Sequence, residues 1–167
     1  MTIPYSSKIN QNVNKIVSSI ELTTNAGLFE DTNNYILGSG TSGGPQNGSW
    51  TAIHDPMSIF NVSSASWTIP RTGMYQINLF FLIAIATISN YDPLQLSVKF
   101  SVIKNGLALT DFAFFCNYPG NSSSAMDVLR LEAGDTISIR VGNSFVNGTI
   151  IATNPSGKFT FASLVEI

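Results

Sequence analysis

Few residues in this chain have types and spacing that suit chemistry. His54-Asp55 is an adjacent imidazole–carboxylate pair, which would suit proton transfer if the two side chains met. Neighbours on a strand point to opposite faces, so these two do not pair there, and no serine stands in a Gly-x-Ser-x-Gly elbow. A surface or turn histidine is expected. Cys116 sits among Phe114, Phe115 and Tyr118 with no basic neighbour, the setting of a small buried hydrophobe rather than a thiolate nucleophile. One cysteine and one histidine leave no intrachain disulfide, no Cys-based zinc site and no His–His metal pair. Glu30-Asp31 is the only adjacent acidic pair. Asn47, Asn61, Asn121 and Asn147 occupy Asn-x-Ser/Thr sequons. This composition yields about three such sequons by chance, so they do not argue for a glycoprotein. No catalytic residue and no metal ligand is assigned, and the protein is not expected to be an enzyme.

The scaffold that would position any site is more informative. A chain of 167 residues suits one domain, 1–167, and can bury a core without disulfides. Charged residues make up 11%, against about 25% in ordinary soluble proteins. Yet hydrophobic residues reach 44% and mean hydropathy is +0.20, so the chain is not of the disordered class. Its 21 Ser, 14 Thr and 16 Asn replace the missing ions, giving a surface solvated by hydroxyls and amides. The net charge is −2 and the eight Lys and Arg are scattered, so no basic stripe exists to hold nucleic acid. The apolar run from Leu79 to Ile88 is about half the length of a membrane helix, and no membrane span is expected. Met1-Thr-Ile-Pro-Tyr5 has no basic start followed by an apolar stretch, so no secretory signal is visible.

Helical periodicity is nearly absent. Ile9, Val13, Ile16 and Ile20 are spaced for a short helix over Lys8–Ile20. The Asn, Val and Ser around them are poor helix formers and favour an extended lead-in. Residues 37–49 hold five glycines and a proline, and a flexible loop is expected there. Short strands follow at Ser49–His54, Ser66–Ile69, Gly73–Ile88, Leu94–Lys104, Leu107–Tyr118, Met126–Glu132, Thr136–Val141, Phe145–Thr153 and Lys158–Ile167. Asn105-Gly106, Pro119–Ser124 and Ala133-Gly134-Asp135 supply turns. About eight to ten short strands with Gly, Asn and Pro turns make an all-β chain, an antiparallel β-sandwich. The strand from Gly73 has two unlike faces. Tyr75, Ile77, Leu79, Phe81, Ile83 and Ile85 line one. The other opens with Gln76 and Asn78 but continues with Phe80, Leu82 and Ala84.

Four motifs, in one order over about a hundred residues, resemble the C1q/TNF-like jelly-roll family. They are Trp67-Thr-Ile-Pro70-Arg-Thr-Gly73-Met-Tyr75, a strand ending in Lys104-Asn105-Gly106, a turn at Leu131-Glu-Ala-Gly134-Asp135 between two apolar strands, and a closing aromatic strand at Phe159-Thr-Phe161. Trp67, Pro70, Gly73, Tyr75, Asn105, Gly106, Gly134 and Asp135 thus carry the fold signature. The resemblance implies a jelly roll that forms a homotrimer with aromatics near its three-fold axis. Phe80, Leu82, Phe112 and Phe114 are the interface candidates, since exposed aromatic patches are costly on a monomer. No collagen-like stem precedes the domain, and the module is nearest in flavour to those of viruses, phage fibres and spore surfaces. Some relatives bind calcium in apical loops, and Asp92 and Asp111 flank suitable loops here. Calcium takes six to eight oxygens, usually from several carboxylates, so no cofactor is assigned.

The function expected is a non-enzymatic, homotrimeric surface, attachment or recognition module, such as a virion or fibre head protein. A capsid-associated cement protein is one alternative. A carbohydrate-binding module is another, with Trp50, Tyr91 and Tyr118 as the rings that would stack on sugar. The partners expected are other copies of the chain, a host-surface protein or glycan, or capsid proteins. The location expected is extracellular or on a virion surface.

Overall fold

The computed structural model describes residues 15–28, 35–39, 47–87, 97–115, 121–144, 147–152 and 160–167. Within them, alternation with a period of two produces strands and no helix. The strands are β1 (Lys15–Leu28), β2 (Tyr35–Ile36), β3 (Asn47–His54), β4 (Phe60–Asn61), β5 (Ser66–Thr68), β6 (Gly73–Thr87), β7 (Ser97–Lys104), β8 (Leu107–Phe115), β9 (Asn121–Leu131), β10 (Thr136–Ser144), β11 (Asn147–Ile151) and β12 (Phe161–Glu166). Their number exceeds the eight to ten expected because β2 and β4 are two-residue pairings that no hydrophobic period announces.

All pairings are antiparallel and fall into two sheets. In the first, β12 lies between β1 and β6, β9 pairs the far side of β6, and β3 pairs β1. β11 also lies between β1 and β6, so β11 and β12 run end to end in one row. The second sheet has the order β4-β5-β10-β7-β8, with β2 on β10. The core fills the space between them. Tyr75, Ile77, Leu79, Phe81 and Ile83 of β6 and Val98, Phe100 and Val102 of β7 are buried. The Phe81 and Phe100 rings stack across the gap with centroids 4.0 Å apart. Trp67 is fully buried, and its indole N–H donates to Ser18 Oγ at 2.9 Å.

The signature residues meet at turns. Asn105 and Gly106 have φ of 51° and 83°, the two positive values of a two-residue hairpin. Asn105 Nδ2 donates to Asp135 Oδ1, and Asn105 Oδ1 accepts the Thr136 N–H, both at 2.8 Å. Asp135 also accepts the Glu132 N–H at 2.7 Å and pairs with Lys104 at 2.8 Å. The Tyr75 hydroxyl donates to the Arg71 carbonyl oxygen at 2.8 Å. Gly134 has φ of 88°, whereas Gly73 has no positive φ, and a Cβ there would meet only ordinary contacts. Gly73 therefore starts β6 without its conformational freedom being needed.

Several expected boundaries move. The extended lead-in is the strand β1 from Lys15 and continues to Leu28, while Lys8–Asn14 lie outside the described residues. Asn121–Ser124, expected as a turn, already pair with Ile83–Phe80. The long apolar β6 acts as a template that overrides the weak strand preference of serine. The 37–49 stretch is tied at both ends. Leu37 is buried and donates its N–H to Ile139 O, Gly38 N–H donates to Asn47 O, and Ser39 bridges Ser49. Residues 40–46 lie outside the described residues.

Candidate functional site

The outward face of the first sheet collects most of the unusual side chains. Cross-strand partners share a face, so the register reads directly as rows. One row is Ile16, Val165, Gln76 and Val128; the next holds Ser19, Ser163, Asn78 and Met126; the next holds Glu21, Phe161, Phe80 and Ser124. Leu82 follows, flanked by Ile151 and Ser122, and Met74 lies at the opposite end beside Arg130. Ile16, Met74, Met126 and Val128 are 50%, 42%, 61% and 41% exposed, a concentration of wet apolar surface on one face. Phe80 and Phe161 are half-buried and stack on each other, with centroids 5.5 Å apart and planes at 21°. Beside them lies a groove of about 330 Å³ lined by Asn78, Phe80, Ser124, Met126 and Phe161. Among the described residues, the charged or titratable groups of this face are Glu21, which stands in the row beside Phe161, His54 farther out on β3, and Arg130 at the Met74 end.

Backbone continuity under this face depends on Thr160. The row formed by β11 and β12 is interrupted between them, which leaves N–H groups of β1 and β6 facing a gap. Thr160 fills it. Its carbonyl oxygen accepts the Leu22 N–H at 2.9 Å, its Oγ1 accepts the Leu82 N–H at 3.0 Å, and that hydroxyl donates to Ile151 O at 2.7 Å. Thr160 is fully buried, and unpaired backbone groups there would be costly.

Of the four interface candidates, the structure brings Phe80 and Leu82 to this face, but only Phe80 is open there: Phe80 is half-buried, whereas Leu82 is 5% exposed and so already covered within one chain, which corrects its reading as a wet contact residue. The structure does not bring Phe112. That residue lies on β8 in the second sheet, opposite buried Phe100, and is half-buried against the core. Phe114 pairs with Val98 through its backbone, and its side chain lies outside the described residues. Ile16, Met74, Met126, Val128 and Phe161 join the face without having been singled out. A signal for Met126 and Val128 was present in their alternation with Ala125, Asp127 and Leu129, the half-buried residues.

Among the ligand candidates, Trp50 is corrected. Its side chain is 2% exposed in the core, and its indole N–H donates to Leu37 O at 2.6 Å. A sugar needs an open ring face, and this one is covered. Tyr91 and Tyr118 lie outside the described residues, as do Asp92, Cys116 and Glu30-Asp31. His54 is exposed, and Asp55 instead accepts the Ile59 and Phe60 N–H groups at 3.1 and 2.9 Å. Asp111 is engaged on the outward face of the second sheet, paired with Lys99 at 2.6 Å and accepting the Ser101 hydroxyl. Those two neighbours hold its carboxyl below the usual range. The Lys104 ammonium and the Glu132 N–H pull Asp135 from 3.8 to about 2. No group of three or more His, Cys, Asp or Glu among the described residues is placed to hold a metal ion.

No protein-family model and no curated protein matches this sequence. Solved structures do resemble it. Murine APRIL shares 15% identity at a TM-score of 0.55, covering 90% of this chain and 98% of that one. Eiger TNF from S. frugiperda shares 12% at 0.57, covering 91% and 92%. The globular domain of zebrafish complement 1qA protein shares 13% at 0.52, covering 92% and 96%. Strand order, sheet pairing and these likenesses agree, and the chain has the C1q/TNF-like jelly-roll fold.

Proposed function

We propose that the protein is a non-enzymatic recognition module, a homotrimer that closes on the outward face of the first sheet. The carrying observation is the concentration on that face of Ile16, Met74, Met126 and Val128, all more than 40% exposed, around the Phe80–Phe161 stack. Exposed apolar surface gathered on one face in this way marks an interaction site. Glu21 is the one charged member of the three rows, so identical chains can approach on the remainder of the face without mutual repulsion. The resemblance to a family that trimerises through aromatics supports the same closure. The trimer would stand on an extracellular or virion surface, as a fibre head does, and present its remaining loops and faces to a host-surface protein or glycan. Static light scattering on the purified protein at micromolar concentration tests the assembly: a mass of about three times 18.0 kDa is expected, and a monomer overturns it. A glycan array and mass spectrometry of purified particles then separate attachment from cementing. Particle residence without glycan or host-protein binding would favour the cement role.

A further inference from the structure

The middle of this face is polar where the rows around it are apolar. Gln76 Nε2 donates to Asn78 Oδ1 at 2.7 Å, and Asn78 Nδ2 donates to Ser163 Oγ at 3.2 Å. On one side of this belt lie Ile16, Val165, Val128 and Met74; on the other lie Phe80, Phe161 and Leu82. A primary amide has two N–H donors and a doubly accepting oxygen. Among the described residues, Gln76 Oε1 accepts no hydrogen bond and the second Asn78 N–H has no acceptor. Each chain therefore carries an unused N–H on each of the two amides and an unused acceptor on Gln76 Oε1, side by side.

We propose that the Gln76–Asn78–Ser163 belt sets the register and copy number of the self-association, the Asn78 N–H of one chain donating to the Gln76 Oε1 of the next. The inference rests on the homotrimer reading and adds what makes that trimer unique. Apolar contact has no direction, so rows of Val, Met and Phe would bury similar area after slipping by one row. An amide belt penalises the slip, because misaligned donors and acceptors would be buried unpaired. A single polar residue in an apolar coiled-coil seam fixes register and strand number in the same way, at a cost in stability. The occupant is a second copy because the belt is its own complement. Pairing the Asn78 N–H of each chain with the Gln76 Oε1 of the next closes head to tail around a cyclic axis.

Native mass spectrometry and sedimentation velocity of the wild type, Asn78→Leu and Asn78→Ala test this. The wild type should be one trimeric species. Both variants should still associate, but over a range of copy numbers, and Asn78→Leu should resist dissociation by urea at least as well as the wild type. If Asn78→Leu does not fold, Asn78→Ala decides alone, since it removes bulk and adds none. A uniform trimer in the variants overturns the belt and leaves the homotrimer reading standing. Variants that fall to monomers overturn it too, because the belt would then supply affinity rather than register. A monomeric wild type overturns the homotrimer reading and the belt together.

Discussion

The two outward faces of the sandwich share one core and differ in everything else. On the first sheet, Glu21 and Arg130 are the only ions among the described residues of the rows, Phe80 and Phe161 lie on neighbouring interior strands beside two amides, and Met126 and Val128 extend the apolar surface along the flanking strand β9. On the second, Lys99 and Asp111 form an ion pair, Ser101 is buried beneath them beside Arg140, and Ile103 is only 4% exposed. The second sheet buries Ile103 and shows its charges, with exposed apolar residues at Leu107 and Leu109 where β8 begins; the first exposes apolar side chains along β1, β6 and β9. Core packing requires only the inner side chains of each strand, so this asymmetry is not a by-product of folding. On the homotrimer reading, one face is finished against water and the other against protein.

The sharpest way to break the comparison is to charge one face and then the other. Phe80→Asp should convert the assembly to an 18.0 kDa species or stop folding, seen by light scattering. Three carboxylates around one axis repel by roughly 2–4 kcal/mol per pair at partly buried separations. Ser138→Asp, on the second sheet's outward face, should leave the mass unchanged. Next in size is Thr160→Val, which keeps the shape but strands the Leu82 N–H under the apolar face. Urea unfolding should show a loss of about 1–3 kcal/mol.

Acid sharpens the contrast further. On the second sheet's side, the depressed Asp135 carboxyl locks the β7–β8 and β9–β10 turns together. Because its folded-state value is about 2 against 3.8, its contribution is complete above about pH 4 and disappears as pH falls through 2. The wild-type urea midpoint should drop across that window more steeply than that of Asp135→Asn. Smallest is Lys99→Ala, which removes an ion pair about half exposed on the second face. It should cost no more than about 1 kcal/mol by thermal or urea melt and leave the mass unaltered.

What could be read beforehand was whatever is local. The two faces of β6, the Asn105-Gly106 hairpin and the Gly134-Asp135 turn follow from neighbours a few residues apart. Phe161 was not placed beside Phe80 because 81 residues separate them and only sheet pairing joins them. Trp50 was misread for a related reason. Adjacent to a glycine-rich stretch it looks accessible, but Gly38, at the start of that stretch, lies against its ring. A Cβ on Gly38, whose φ is 81°, would lie 1.8 Å from Trp50 Cδ1, so only glycine allows the approach. At Gly38 the glycine serves close packing.

The pairing of β1 with β12 has a consequence in time. Lys15 sits opposite Glu166, so one of the earliest described strands waits for the last one before its edge is satisfied. Contacts of such long separation form late and slowly. The outward face of the first sheet needs Phe161, Ser163 and Val165 to be complete, and all three arrive with β12. A chain still emerging from the ribosome therefore presents Phe80 without its ring partner and Asn78 without Ser163. The surface that would recognise another copy comes into being only when the sheet closes, which postpones assembly until folding is finished.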